Sequence, residues 1–263
     1  AATVKIYDYN VNNNQYEVKQ TITVQRDAST TTDAEGIRGI HMTGDKNTIL
    51  VVTANVTGAD ADASDYDGSY TFIPYELTSS DPSNPFYTAG TALTIDNAPW
   101  YDMDDGTTLM IAKKDATGSN RDVYFYNYSG SNKEFTLSQT IDYATDISNA
   151  LPAGFVESTT APKHVAINGN GLRALWVEED RNNIIVFKRV STFADFQILQ
   201  TIQLGSGSDA ELLYPNFDYA GKFMALSMPG TGSDNAIKIY AYDETKFNYV
   251  LESSFNAINT LTD

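Results

Sequence analysis

Val123-Tyr124-Phe125-Tyr126-Asn127-Tyr128, with Phe135-x-Leu137-x-Gln139-Thr140-Ile141 opening seven residues later, is the stretch that decides how this chain is read. Apolar and aromatic side chains recur on both faces of each segment. Ser129-Gly130-Ser131-Asn132 between them has the chemistry of a tight turn, so the pair reads as a β-hairpin. The same hairpin returns along the chain. Val4 to Tyr9 precedes Tyr16-x-Val18-x-Gln20-Thr21-Ile22, and Ile184 to Arg189 precedes Phe196-x-Ile198-x-Gln200-Thr201-Ile202. Ile237 to Tyr242 precedes Tyr249-x-Leu251-x-Ser253-Ser254-Phe255, and a fifth copy, Tyr70 to Tyr75, has a degenerate second half opened by Phe86. The starts lie 66, 53, 61 and 53 residues apart, a spacing that marks a repeat architecture.

A second strand pair lies between successive hairpins and folds each time about a polar turn: Gly44-Asp45-Lys46-Asn47, Asp104-Asp105-Gly106, Asn168-Gly169-Asn170-Gly171 and Asp218-Tyr219-Ala220-Gly221. Asn, Asp and Gly tolerate the backbone conformations such turns need. The repeating unit is therefore four antiparallel strands, and no amphipathic helix interrupts it. Because both faces carry apolar groups, each sheet must be covered on both sides, which fits the blades of a β-propeller better than a sandwich with one wet face. The expected fold is an all-β, single domain over residues 1–263 with about five blades. Their parts fall near 1–25, 37–95, 98–142, 162–204 and 212–256, with a tail at 257–263. The first hairpin stands without its two inner strands, so the amino-terminal blade is incomplete. It is closed within the chain, by a longer polypeptide, or by another subunit adding strands to its edge.

Composition removes several classes of function. With 17 Lys+Arg against 34 Asp+Glu in 263 residues, the net charge of -17 repels nucleic acid phosphates and anionic membranes. No apolar run is long enough to insert in a membrane as a helix. The absence of Cys excludes disulfides, thiolate metal sites and cysteine nucleophiles. A start at Ala1-Ala2-Thr3 and the sequons Asn55-Val56-Thr57 and Asn127-Tyr128-Ser129 favour an extracellular or cell-surface protein, with Asn55 and Asn127 as glycosylation acceptors.

Candidate chemistry is sparse. His41 and His164 fall on equivalent inner strands, but no Gly-x-Ser-x-Gly elbow accompanies them, so they read as strand histidines and no catalytic residue is assigned. Asp60, Asp62, Asp65 and Asp67 before Gly68 form the one candidate metal site, for calcium; no other cofactor is expected. Asp102, Asp104 and Asp105 before Gly106 are accounted for by their alignment with the other hairpin turns. Asp102 and Asp218 are the acids on inner-strand positions that a glycosidase in a five-bladed propeller would use, and Trp100 and Tyr214 are the aromatics that would hold a glycan.

Val123-Tyr-Phe-Tyr, Phe135-x-Leu-x-Gln-Thr-Ile, Lys163-His-Val-Ala-Ile-Asn-Gly and Ala174-Leu-Trp-Val, in that order, resemble the FG-GAP-type repeats of extracellular propellers. Met224-Ala-Leu-Ser-Met-Pro-Gly230 followed by Ile237-Lys-Ile-Tyr is the best single match. WD-type propeller repeats are a weaker match, since no Trp-Asp closes a blade. The resemblance implies a non-enzymatic structural or adhesive module; the open edge of the incomplete first blade adds, as one form of it, a subunit of a surface filament joined by strand addition between copies. Its partners would be further copies, other surface proteins or glycans. The alternative is a carbohydrate-binding or glycoside-hydrolysing propeller.

Overall fold

The computed structural model describes residues 2–24, 36–56, 68–79, 86–98, 100–113, 122–148, 151–152, 162–178, 183–203, 213–228 and 236–256. The chain separates into two compact units, one formed by Ala1–Asn97 with Tyr128–Phe135 and the other by Ala98–Asn127 with Thr136–Asp263.

In the first unit, β1 (Ala2–Asn10) and β2 (Gln15–Val24) form a two-stranded sheet, as the missing inner pair requires. A second sheet runs β3 (Gly36–Met42), β4 (Thr48–Val56), β5 (Gly68–Leu77) and then β6 (Tyr87–Ala89), with β7 (Leu93–Asp96) also pairing with β5. The fourth strand of this blade is thus broken into β6 and β7, which is the physical content of its degenerate sequence. At the break, Gly90 N–H donates to Pro74 O (2.8 Å) and Thr91 N–H to Lys133 O (2.7 Å). Val4, Ile6, Ile22 and Val24 pack with Ile49, Val51, Tyr75 and Tyr87 to form the core of this unit.

The second unit holds three four-stranded antiparallel sheets. They run β8 (Trp100–Met103), β9 (Thr108–Ala112), β10 (Val123–Ser129), β11 (Glu134–Ile141), then β12 (Pro162–Ile167), β13 (Arg173–Glu178), β14 (Asn183–Lys188), β15 (Gln197–Gln203), and β16 (Leu213–Phe217), β17 (Phe223–Met228), β18 (Ala236–Asp243), β19 (Asn248–Asn256). The tip of the β10–β11 hairpin belongs to the first unit. One π-helical turn, Tyr143–Ile147, is the helix among the described residues. Asp142 caps it by accepting from Thr145 N–H at 3.0 Å.

Both faces of the middle sheet are buried, as the sequence pattern demands. Ala174, Trp176, Ile185 and Phe187 point into one core with Met110, Phe125, Ile141 and Tyr143, whereas Leu175, Val177, Ile184 and Val186 point into another with Met224, Leu226, Tyr240 and Tyr249. Strand alternation alone sends neighbouring residues to opposite layers. A β-bulge recurs at one place in the repeat, between Ile6 and Tyr7, Val186 and Phe187, and Ile239 and Tyr240. It aligns the first hairpin with the third and fourth strands of a full blade.

Candidate functional site

The repeat explains three of the acids that the sequence offers as chemistry, Asp102, Asp104 and Asp218. Each inner hairpin turn is closed by one polar side chain that accepts a backbone N–H across the turn. Thr43 Oγ1 takes Thr48 N–H (3.1 Å), Asp104 Oδ1 takes Thr108 N–H (2.7 Å), Asn168 Oδ1 takes Arg173 N–H (2.7 Å), and Asp218 Oδ1 takes Phe223 N–H (2.8 Å). Asp218 is therefore a turn residue. Asp102 accepts from Met103 N–H with Oδ1 and from Ile167 N–H on β12 with Oδ2, both at 2.9 Å, so that it ties two inner strands together. β12 lies between β8 and β16, and each carboxylate faces its own backbone donors. Asp102 thus holds two strands together and Asp218 closes its own turn.

What gathers on the inner strands of the second unit is an imidazole and an indole. His164, buried on β12, lies with its ring centroid 4.5 Å from that of Trp100 on β8. Trp100 also packs on the core formed by Met110, Val165 and Trp176, so it is no exposed sugar platform. The side chain of Tyr214 lies outside the described residues. His41 sits half-buried on β3 in the first unit.

At the turn end of these strands is a buried ionic network. Arg189 donates from Nε to Gly171 O (2.6 Å) and from Nη2 to Thr108 Oγ1 (2.7 Å), and it pairs with Asp104 Oδ2 at 3.9 Å. Burial pushes the Asp104 carboxyl above its ordinary range, against the opposing pull of the Thr108 and Gly106 N–H groups and of Arg189. The guanidinium also covers the Phe196 ring at 4.5 Å. In two other blades the equivalent ring is a tyrosine: Tyr87 donates its hydroxyl to Lys46 O (2.7 Å) and Tyr249 to Gly221 O. Lys46, Gly171 and Gly221 are the same turn position, each with φ between 60° and 68°. At Phe196, which lacks a hydroxyl, Arg189 reaches the turn carbonyl instead.

The Gln-Thr-Ile motif also has a role that its spacing did not disclose. Gln139 Nε2 donates to Phe196 O (2.8 Å) while Phe196 N–H donates to Gln139 Oε1 (2.7 Å). Gln200 does the same with Tyr249 (3.0 and 2.6 Å), and Gln20 with Tyr87 (2.9 and 2.8 Å). In each unit, the amide of one blade acts as a peptide group toward the outer strand of the next.

Asp60, Asp62, Asp65 and Asp67 lie outside the described residues, and so does the side chain of Asn55. Among the described residues, no group of three or more His, Asp or Glu is placed to hold a metal ion. Asn127 is half-buried on β10, with its Oδ1 away from solvent. No helix among the described residues is long and apolar enough to cross a membrane.

No family model matches the chain, and no curated protein matches it by sequence. Solved structures do match. A protein of Lactobacillus plantarum aligns at TM-score 0.57 and 13% identity over 96% of this chain and 64% of its own. Candidate 6-phosphogluconolactonases of Bacteroides fragilis (TM-score 0.55, 12% identity) and Bacteroides uniformis (0.57, 14%) each align over 97% of this chain and 65% of theirs. This chain has a β-propeller fold. It spans just under two thirds of the length of those propellers. The FG-GAP-type resemblance holds only at the level of the propeller repeat. These neighbours also correct the expectation of a non-enzymatic structural or adhesive module. Two structures sharing this fold carry the names of enzymes, whereas the adhesive reading rested on fold resemblance alone, which does not fix function.

Proposed function

We propose that this propeller is a carbohydrate-processing enzyme that hydrolyses a sugar lactone. The observation that carries the reading is the alignment of almost the whole chain with two structures named as candidate lactonases. The net charge of -17 favours a neutral lactone over a phosphorylated one, because the long-range field repels an anionic substrate. His164 is the base we nominate. It is an imidazole on an inner strand of the second unit, where Trp100 packs against its ring. It takes a proton from water as the water oxygen bonds to the lactone carbonyl carbon. The ring C–O bond then breaks, and the leaving alkoxide recovers the proton to give the open hydroxy acid. The sequon at Asn55 favours an exported enzyme. An FG-GAP-type origin of the repeats is a further reading that rests on the motifs above.

The test is release of acid from glucono-1,5-lactone and from its 6-phosphate, followed in a pH-stat against the spontaneous rate. His164→Gln is expected to lower kcat by roughly 100-fold or more with the fold intact by circular dichroism. No rate above background on either lactone, or a preference for the phosphorylated one, would overturn the corresponding half of the proposal.

A further inference from the structure

The three inner hairpin turns of the second unit place unlike residues at one equivalent position: Asp105, Gly169 and Tyr219. Backbone hydrogen bonds lock them side by side. Asp105 N–H donates to Gly169 O (3.0 Å), and Asn170 N–H donates to Tyr219 O (3.1 Å), which also accepts from Asn168 Nδ2 (3.0 Å). The middle residue must be glycine, because a β-carbon there would strike Cδ2 and Cε2 of the Tyr219 ring and lie 2.9 Å from Asp105 Oδ2. Ring and carboxylate therefore converge over one bare α-carbon. Tyr219 as a residue is 65% exposed, with one edge of its ring over Gly169. Neither the Asp105 carboxylate nor the Tyr219 hydroxyl makes a hydrogen bond among the described residues. Asn170 is not available in the same way, since its Oδ1 already accepts from Asn168 Nδ2 (2.7 Å) and Leu172 N–H (3.0 Å).

We infer that Asp105, Gly169 and Tyr219 form a subsite for a neutral sugar ring. An open aromatic face attracts the weakly positive C–H face of a pyranose through its quadrupole. A carboxylate alongside accepts hydrogen bonds from adjacent hydroxyls, and bonds to a charged acceptor are the stronger kind. The immobilised backbone keeps ring and acid in place before the ligand arrives, which lowers the cost of ordering on binding. With no basic side chain in the trio, an anionic sugar is disfavoured. A single open ring also lacks the enclosing walls of an aromatic cage for a quaternary ammonium ion.

This inference rests on the carbohydrate half of the proposed function and not on hydrolysis. The probe is gluconolactam, a neutral amide analogue that is not hydrolysed, titrated into the full chain and followed by ligand-observed NMR. Saturable binding is expected. Tyr219→Ala should weaken it by roughly tenfold, Asp105→Asn by roughly three- to tenfold, and Tyr219→Phe by less than about twofold. Gly169→Ala, which displaces the ring without removing it, should weaken it as Tyr219→Ala does. Lactam binding without lactone turnover would retain the subsite and remove the hydrolase reading. Turnover with Tyr219→Ala binding the lactam as the parent does would overturn the subsite alone. Tighter binding of choline than of lactam would overturn the choice of ligand, and no saturable binding at all would overturn the inference.

Discussion

Replacing Gln139 by Ala removes one amide that holds the outer strand of its own blade to the next. Two hydrogen bonds disappear, to Phe196 O at 2.8 Å and from Phe196 N–H at 2.7 Å. A typical intramolecular bond contributes about 1 kcal/mol net, and a buried backbone group left without a partner costs about 1–3 kcal/mol more. Phe196 is 3% exposed, but Gln139 is only half-buried, so water can reach part of the gap. The expected loss is about 2–3 kcal/mol, a fall in thermal midpoint on the order of 5–10 °C for a chain of this size. Urea denaturation followed by tryptophan fluorescence is the assay, since Trp176 lies in the core beside Phe196. The sequence supplies its own control. Ser253 occupies the Gln position in the last copy, and Ser253→Ala should cost less than about 0.5 kcal/mol. Equal losses in the two variants would refute the clamp and leave the Gln-Thr-Ile motif as mere strand propensity.

Two further outcomes follow from the same comparison of blades. Arg189→Met leaves Asp104 buried without its cation and should cost about 3–5 kcal/mol, read from the thermal midpoint. Adding Phe196→Tyr should restore about 1 kcal/mol, because the new hydroxyl can reach Gly171 O as that of Tyr249 reaches Gly221 O; no rescue would break the equivalence. Burial raises the pKa of Tyr249, as it does for Tyr75, Tyr87, Tyr126, Tyr128 and Tyr240. The folded chain then holds these phenolic protons more tightly than the unfolded chain does. Stability is flat below the unfolded value near 10 and falls as the pH rises above it. Tyr249→Phe should make that alkaline slope shallower, by up to one proton, in chemical denaturation between pH 9 and 11.

The blades were legible because their determinants are local. Alternation of Val, Ile and Tyr sets the two buried faces, and Asx residues at fixed offsets set the turns, so each strand pair could be drawn from a dozen neighbouring residues. The break between β6 and β7 was visible only as a loss of pattern after Phe86. Its cause, the approach of Lys133 to Gly90, joins residues more than forty positions apart. The same distance hid the clamps. Gln139 and Phe196 are separated by 57 residues, and nothing in either segment says that an amide of one reads the peptide group of the other. The recurrence of Gln at 20, 139 and 200, with Ser at 253, was the available clue.

Acidic residues mislead a sequence-based search for chemistry in this fold for a physical reason. An inner strand at a blade edge presents N–H groups that must find acceptors. A short carboxylate or amide side chain is the cheapest acceptor that reaches them. Asp102 answers Ile167, and Asp104, Asn168 and Asp218 answer the far side of their own turns. The four turns fill this acceptor position with Thr43, Asp104, Asn168 and Asp218, so the acceptor itself needs no charge. Asp105 differs because its backbone N–H pairs with Gly169 O while its carboxylate makes no bond within the described fold. In a repeat protein, the side chains to examine for function are those that depart from their equivalents without a structural task. By that criterion Asp105 and Tyr219, with the glycine between them, stand apart from the acids that motif searching selects first.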